Sequence, residues 1–304
     1  MVDRRKIGHA GQVCSAVRSL VTDGRAQGAR LVHVANGRLH FVLAESNALD
    51  VLQLWHEGMN VGFLSRNGLY TGAGDFAQKF PAGFLYTCGL DATGVVEGRP
   101  VHGRLHSVPA EIREMRCDEA GVRIVGEMRD TALFGSDFRV TRTIETAAFS
   151  SRIEVTDTIE NRAFCERPYA MLYHVNVGWP LVDVGAVVEA DVVETLSRTP
   201  WSEAHRSSAF RVEPACDGMD EFCYFHTPRT PHAAVVNGAL KRRLDIAWSL
   251  ETLPKLVEWK SRASGDYVIG LEPCTCWLDG HYSPCVLQPG ETVTNALAFE
   301  VSTC

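Results

Sequence analysis

The chain has 304 residues, of which 45% are hydrophobic and 22% are charged, and its formal net charge is −7. This composition is ordinary for a globular protein, and the length allows one large domain with an ample hydrophobic core. A surface that binds phosphates needs clustered Lys and Arg, so the acidic balance argues against nucleic acid as a partner. No run reaches the ~20 apolar residues of a bilayer span, so no membrane contact is expected.

The amino-terminal segment and the cysteines favour a cytoplasmic protein. The charged residues at 3–6 are not followed directly by an apolar run, and polar side chains interrupt residues 13–21, so no signal peptide is predicted. We interpret the 10 cysteines as mostly buried thiols. Cys274 and Cys276 form only a C-x-C pair, so no structural zinc site is predicted.

The first elements in chain order are a short helix and a hairpin. Residues 14–23 give the best of a few short helical patterns. Residues 31–34 and 39–43 are predicted strands that flank Asn36-Gly37, a strong signal for a type I′ hairpin. The segment 1–27 is expected to be peripheral.

Strand patterns dominate the rest of the chain. In residues 152–160, Ile153, Val155 and Ile159 fall on one face and polar side chains on the other, as in a half-buried antiparallel strand. Similar patterns predict strands at 121–128, 138–146, 267–271 and 292–301, with a turn at 289–291. The strands at 121–128, 138–146 and 152–160 are close enough in sequence to suggest a meander. No glycine-rich loop opens a helix after a strand, which leaves a Rossmann or P-loop fold unsupported. The chain therefore predicts a single all-β domain, a large sandwich or barrel.

The first chemical cluster lies at residues 102–106. His102, Arg104 and His106 share one face if the segment is extended. They could bind hydroxyls or an anion, or supply two zinc ligands. The alternative is an ordinary polar strand face.

The second cluster lies at residues 172–180. His174 and Asn176 share one face, with Tyr173 and Trp179 nearby. Histidine is the side chain best suited to proton exchange near neutral pH, and aromatic rings stack on the apolar faces of sugars. The alternative is a core histidine whose hydrogen bonds are satisfied.

The third cluster is a carboxylate at the end of a strand. Glu272 ends an otherwise apolar run and precedes Pro273. A carboxylate there is costly unless it is paired or functional, and the proline stops the strand. Glu272 is thus either a catalytic group at a strand mouth or a carboxylate that accepts backbone N–H groups.

The order of these segments resembles that of the aldose 1-epimerases, the galactose mutarotases. The segments are His-Gly with a later Pro and acidic residue (102–111), aromatic-His-x-Asn (173–176), Gly-Leu-Glu-Pro-x-Thr (270–275) and Pro-Gly-Glu (289–291). Three further segments are similar to a divergent bacterial branch of that family: Thr-Cys-Gly-Leu (87–90), Leu-Pro (253–254) and Trp-Lys (259–260). The resemblance runs from about Gly28 to Val301.

The resemblance implies a galactose-mutarotase-like β-supersandwich with few short helices. It also implies an isomerase that interconverts the anomers of a monosaccharide or sugar derivative, with no metal or cofactor. The family's catalytic base, which takes the proton of the anomeric hydroxyl, matches Glu272. Its acid, which protonates the ring oxygen, matches His174, and its substrate histidine matches His102. An ionic Glu–His pair is expected to raise the pKa of His174.

Further residues are expected to position the sugar. Arg104, Asn176 and Lys260 are predicted contacts, Trp179 a stacking platform and His106 an additional contact. His106 stands where classical members have arginine, and residues 45–50 lack the arginine usual in this branch. Arg104 and Lys260 then remain as contacts for hydroxyls, a carboxylate or a phosphate.

Three other functions stay open on the sequence. A non-catalytic carbohydrate-binding sandwich would share the fold without the reaction. Another sugar reaction, such as a lyase step, could use Tyr173 with Arg104. A metal enzyme could use His102, His106 and Glu272.

Overall fold

The computed structural model describes residues 3–304, which form 18 strands and two short helices. The helices are α1 (Phe76–Lys79) and α2 (Pro200–Ala204). The strands are β1 (Ser15–Leu20), β2 (Arg30–Ala35), β3 (Leu39–Ala44), β4 (Asp50–His56), β5 (Met59–Asn60), β6 (Leu85–Leu90), β7 (Glu111–Asp118), β8 (Gly121–Thr131), β9 (Asp137–Ala147), β10 (Arg152–Asn161), β11 (Arg167–Val177), β12 (Val187–Ser197), β13 (Phe222–Asn237), β14 (Arg242–Trp248), β15 (Lys255–Ala263), β16 (Asp266–Cys274), β17 (Cys285–Leu287) and β18 (Thr292–Ser302). Neither helix has the length and hydrophobicity of a membrane span.

The strands form two sheets. The smaller has the order β1-β2-β3-β4-β5. The larger has the order β17-β11-β16-β15-β13-β14-β18-β10-β9-β8-β7, with β6 added to β11 and β12 to β13. The expected all-β fold and the β8–β9–β10 meander are confirmed.

One hydrophobic cluster includes side chains of both sheets. It contains Phe41 and Leu54 from the smaller sheet and Ile144, Val155 and Phe299 from the larger. The alternation predicted for β10 is confirmed, since Ile153, Val155 and Ile159 are fully buried. A strand with this alternation gives one face to the core and leaves the other face for different contacts.

The helix expected at 14–23 is wrong, because this segment forms the edge strand β1. Ser15–Leu20 pairs antiparallel with Arg30–Ala35. Arg18 and Arg30 both bind the buried carboxylate of Glu45. A helix this short is marginal alone, so strand pairing and these ion pairs decide the conformation.

The hairpin at Asn36-Gly37 is present, but its turn is not type I′. The central residues are Gly37 and Arg38, and only Gly37 has a positive φ, at 92°. A type I′ turn needs positive φ at both. Asn36 Oδ1 accepts the N–H groups of Arg38 and Leu39 and stabilises the turn instead. The turn predicted at 289–291 is confirmed.

The cysteines are less buried than expected. All 10 lie in the described part of the chain and are unpaired. Five are buried and one is half-buried, while Cys165, Cys216, Cys285 and Cys304 are exposed.

A fully buried arginine links the two sheets. Arg142 on β9 donates to Asp157 on β10 at 2.7 and 2.8 Å and to Asp50 on β4 at 2.6 Å. It also donates to Thr87 on β6 at 2.8 Å, and the Tyr173 hydroxyl on β11 donates to Asp157 at 2.9 Å. Five strands, β4, β6, β9, β10 and β11, are thereby joined in one network around this guanidinium.

Replacing this arginine tests the network. We expect Arg142→Met to lower the free energy of unfolding by about 3–5 kcal/mol, because it leaves two buried carboxylates without their cation. Arg129→Met is the matched control, since Arg129 is about half exposed and binds Asp137 at the surface. We expect it to cost under about 1 kcal/mol. Urea unfolding at pH 7 measures both, and equal losses would contradict the role given to Arg142.

Candidate active site

Two neighbouring strands place an acid–base pair side by side. In the β11–β16 register Val175 pairs with Leu271 and Asn176 with Gly270, which puts His174 opposite Glu272. The two side chains meet with His174 Nε2 3.1 Å from Glu272 Oε1. Both are buried, at 4% and 1% exposure. They are the only polar groups that these two strands direct into the pocket described next.

The pair lies in a pocket of about 240 Å³. That is below the ~300–1,000 Å³ typical of drug-sized ligands, so the pocket suits a small molecule. Aromatic rings form much of its wall: Phe80 lies 5.6 Å and Trp259 5.3 Å from the His174 ring, between centroids. The lining side chains include Phe76, Phe80, Val101, His102, His174, Arg198, Glu221, Cys223, Trp259, Glu272 and Leu278.

Gly270 leaves the space that the pair needs. A Cβ on this residue would lie 2.8 Å from Glu272 Oε1, 3.0 Å from His174 Cε1 and 3.2 Å from Trp259 Cε3. The first of these distances is shorter than an ordinary van der Waals contact. Any side chain at this position would therefore displace the acid–base pair.

His102 reaches the pocket from a turn. Its backbone has a positive φ of 62°, and its ring centroid lies 5.8 Å from that of His174. Nδ1 accepts the N–H of Gly94 at 3.2 Å. Burial, with a contribution from Arg198, lowers the pKa of His102 to about 4. The ring is then neutral near pH 7 with its proton on Nε2, which can donate to a ligand.

Burial sets the protonation of the pair. It lowers the pKa of His174 well below its usual value, and His102 lowers it further. It raises the pKa of Glu272 well above its usual value. The expectation of a raised His174 pKa is therefore wrong, because loss of solvation dominates and the neighbouring His102 adds to it. The neutral forms are favoured, and Glu272 Oε1 and His174 Nδ1 have no hydrogen-bond partner among the described residues.

Charged groups at the rim are tied to one another. Arg198 Nε donates to Asp279 at 2.6 Å and Nη1 to Glu221 at 3.1 Å. The Trp259 indole N–H donates to the same Glu221 at 2.7 Å. These contacts fix the Trp259 side chain, and the two carboxylates neutralise the positive charge of Arg198.

Three of the predicted residues, His102, His174 and Glu272, come together in the pocket. Segment 102–106 is not extended, because it turns at His102 and continues into a 3₁₀ helix at Leu105–Ser107. Arg104 consequently faces away from the pocket and binds Asp130 at 3.2 Å and Asp91 at 3.5 Å. It is not a contact of this pocket.

Asn176 lies beneath the site instead of lining it. Its Nδ2 donates to the carbonyls of Gly83 at 2.9 Å and His174 at 3.1 Å. Its side chain raises the pKa of His174, partly opposing burial. Asn176 therefore supports the histidine and does not face the pocket.

Lys260, Trp179 and His106 also lie outside the pocket. Lys260 points to the opposite face of β15, where Nζ donates to the carbonyls of Ser208 and Arg211 at 2.6 and 3.2 Å. Trp179 is 65% exposed beyond the end of β11. His106 lines a neighbouring cavity and stacks on Tyr86 at 4.7 Å.

The sequence interpretation missed most of the pocket wall. Trp259, and not Trp179, lines the pocket, and alternation along β15 explains why Trp259 faces it while Lys260 does not. Phe76, Phe80 and Arg198 come from loops and short helices, which no periodic pattern marks. Within residues 3–304, no three His, Cys, Asp or Glu side chains are grouped closely enough to hold a metal ion.

The family model described as "Domain of unknown function (DUF4432)" matches residues 26–301. The chain belongs to this family. No curated protein sequence matches it. The expected divergence from well-characterised aldose 1-epimerases agrees with these two findings.

Solved structures show the fold of this DUF4432 member. A candidate aldose 1-epimerase from Klebsiella pneumoniae matches with a TM-score of 0.84 and 20% identity, over 95% of this chain and 83% of its own. A galactose mutarotase-like protein from Clostridium acetobutylicum matches with a TM-score of 0.73 and 11% identity, over 96% of this chain and 100% of its own. The galactose-mutarotase-like fold is thus confirmed.

The enclosed histidines predict a loss of stability in acid. Burial lowers the pKa of His106 to about 3, so below its ordinary value of 6.5 the unfolded chain binds a proton that the folded chain does not. Stability therefore falls as pH falls through 6.5, by up to about 2 kcal/mol at pH 5 for this group. Between pH 7.5 and 5.0, we expect the free energy of unfolding of His106→Gln to fall by about 2 kcal/mol less than that of wild type, as measured by urea unfolding. His9→Gln, at an exposed histidine, is the control and should keep the wild-type loss.

Proposed function

We propose that this protein is a sugar mutarotase, an isomerase of the aldose 1-epimerase type that interconverts anomers by opening and closing the ring. The observation that carries the proposal is the contact of 3.1 Å between His174 Nε2 and Glu272 Oε1 at a small, aromatic-walled pocket. A hemiacetal carbon bears two oxygens, the anomeric hydroxyl and the ring oxygen. An acid and a base this close together can serve both.

The proton transfers balance within the pair. In ring opening one member takes the proton of the anomeric hydroxyl, the other protonates the ring oxygen, and the bond between the anomeric carbon and the ring oxygen breaks. The open sugar rotates, and closure on the other face reverses both transfers. Each member then acts once as acid and once as base. Because burial places the resting proton on Glu272, ring opening in this proposal uses Glu272 as the acid and His174 as the base, the reverse of the roles that the resemblance implies. The reaction is redox-neutral.

Other pocket residues hold the sugar in this proposal. His102 donates from Nε2 to a hydroxyl, and the carboxylate of Glu221 accepts from another. Trp259, Phe76 and Phe80 offer apolar faces to the ring. Tyr173, the residue available for a lyase reaction, supports no such alternative, because its hydroxyl is buried on Asp157.

Removing either member of the pair tests the reaction. We expect Glu272→Gln and His174→Ala each to reduce anomer exchange of the substrate about 10²-fold or more, since positioned proton transfer contributes ~10²–10⁴-fold. Saturation-transfer NMR across aldoses, ketoses and uronates measures the exchange and finds the substrate.

A second buried pair supplies the matched control. His226 Nε2 lies 3.2 Å from Glu258 Oε2, and neither residue lines the pocket. Glu258→Gln should leave exchange per folded molecule unchanged. If sugars bind but their anomers exchange no faster than in buffer, the protein is a carbohydrate-binding protein and not a mutarotase.

Gly270 tests whether the spacing of the pair matters. We expect Gly270→Ala to slow exchange about 10²-fold, as displacing a reacting group by ~1 Å does. Gly238→Ala is the control, because a Cβ there meets nothing within 4 Å. Exchange rate and unfolding midpoint are measured for both. An unchanged rate in a folded Gly270→Ala protein would show that the pair is not the reacting centre.

A further inference from the structure

A second cavity adjoins the pocket and has no part in the mechanism above. It measures about 620 Å³, and Phe76, Phe80 and Val101 line both spaces. The larger cavity therefore continues the cleft beyond the aromatic wall of the smaller one. A molecule held at His174 and Glu272 could extend into it.

The wall of this second cavity offers hydrogen-bonding groups that the fold leaves free. Ser46 Oγ accepts the N–H of Arg30 at 2.9 Å, which leaves its hydroxyl hydrogen to donate. Asn47 Nδ2 donates to the carbonyl of His106 at 3.2 Å, which leaves Oδ1 to accept. Ser46 and Asn47 thus give this wall one donor and one acceptor at consecutive positions.

Aromatic rings accompany these polar groups. Phe76 and Phe80 stack on each other at 4.9 Å, and Tyr86 stacks on His106 at 4.7 Å. Tyr70 adds a further ring to the lining. Flat apolar surfaces beside a hydrogen-bond donor and an acceptor complement a sugar ring, which has apolar faces and peripheral hydroxyls.

The charges in this cavity do not form an anion receptor. Arg99 donates to the main-chain oxygen of Asp91 at 2.7 Å, and Asp75 caps α1 by accepting the N–H of Gln78 at 2.9 Å. Lys79 is the one lining cation that has no ion pair within residues 3–304, since Arg99 pairs with Asp91. A lone ammonium can donate to hydroxyls, but it lacks the paired donors that bind an anion strongly.

We propose that the larger cavity is a second sugar subsite. It binds the residue attached by a glycosidic bond to the ring whose anomeric carbon reacts, so the substrate class is a reducing disaccharide or longer oligosaccharide. This inference rests on the proposed function, because it places the reducing end at His174 and Glu272.

The test compares anomer exchange of three ligand classes in matched variants. The ligands are hexoses, reducing disaccharides that contain them, and the hexose 6-phosphates. Ser107→Trp fills the second cavity from an exposed position in the 3₁₀ helix Leu105–Ser107, and Ser207→Trp makes the same change in another 3₁₀ helix outside both cavities. Lys79→Ala removes the unpaired cation.

A working subsite should raise kcat/KM for a disaccharide about tenfold over its hexose, as two net hydrogen bonds would. Ser107→Trp should abolish this advantage and leave hexose exchange unchanged, and Ser207→Trp should keep both. Equal kcat/KM values for hexose and disaccharide would overturn the second subsite and leave the proposed mutarotase function intact. A preference for 6-phosphates that Lys79→Ala removes overturns it in favour of an anion site.

The failure of the proposed function is distinguishable. If no sugar exchanges and Glu272→Gln matches wild type, catalysis is refuted. Calorimetric binding of the same disaccharides to wild type, Ser107→Trp and Ser207→Trp then decides the subsite. Binding that only Ser107→Trp weakens supports it, and binding that is absent or unaffected overturns it.

Discussion

The buried guanidinium of Arg142 is the interaction on which the arrangement of the sheets depends. It is fully buried, and its hydrogen bonds reach Asp50 on β4, the Ala48 carbonyl in the turn before β4, and Asp157 in the larger sheet. Burying a charge costs several kcal/mol unless its partners are well placed. The strands that carry these partners therefore have little freedom to shift. Tyr173 joins the network through Asp157, which fixes the strand that carries His174.

Strand alternation then determines which side chains of these fixed strands face the pocket. On β11, Tyr173 faces the ion network and His174 faces the pocket. On β15, Trp259 faces the pocket and Lys260 points to the opposite side of the sheet. A slip of one residue would exchange the two faces and remove the pair. Precise register between β11 and β16 is thus a requirement of the proposed chemistry, and Gly270 keeps the space between the partners open.

Pairing of a histidine with a glutamate does not by itself make an active site. His226 and Glu258 are a second such pair, fully buried on neighbouring strands, but Phe210 covers them by stacking on His226 at 5.0 Å. The pair at His174 and Glu272 differs because a cavity reaches it. Access by a ligand, rather than the identity of the two side chains, separates the catalytic candidate from the structural pair.

The sequence by itself determined the all-β class, the meander of β8–β10 and the positions of His102, His174 and Glu272. These follow from alternation, which is local, and from ordered motifs that lie within a few residues. Only the tertiary structure decided that residues 14–23 form a strand, that Arg104 and Lys260 turn away, and that Trp259, Phe80 and Arg198 complete the pocket. Those outcomes depend on contacts between segments far apart in the chain. The protonation of the pair belongs with them, because burial, which no single segment encodes, sets both pKa values.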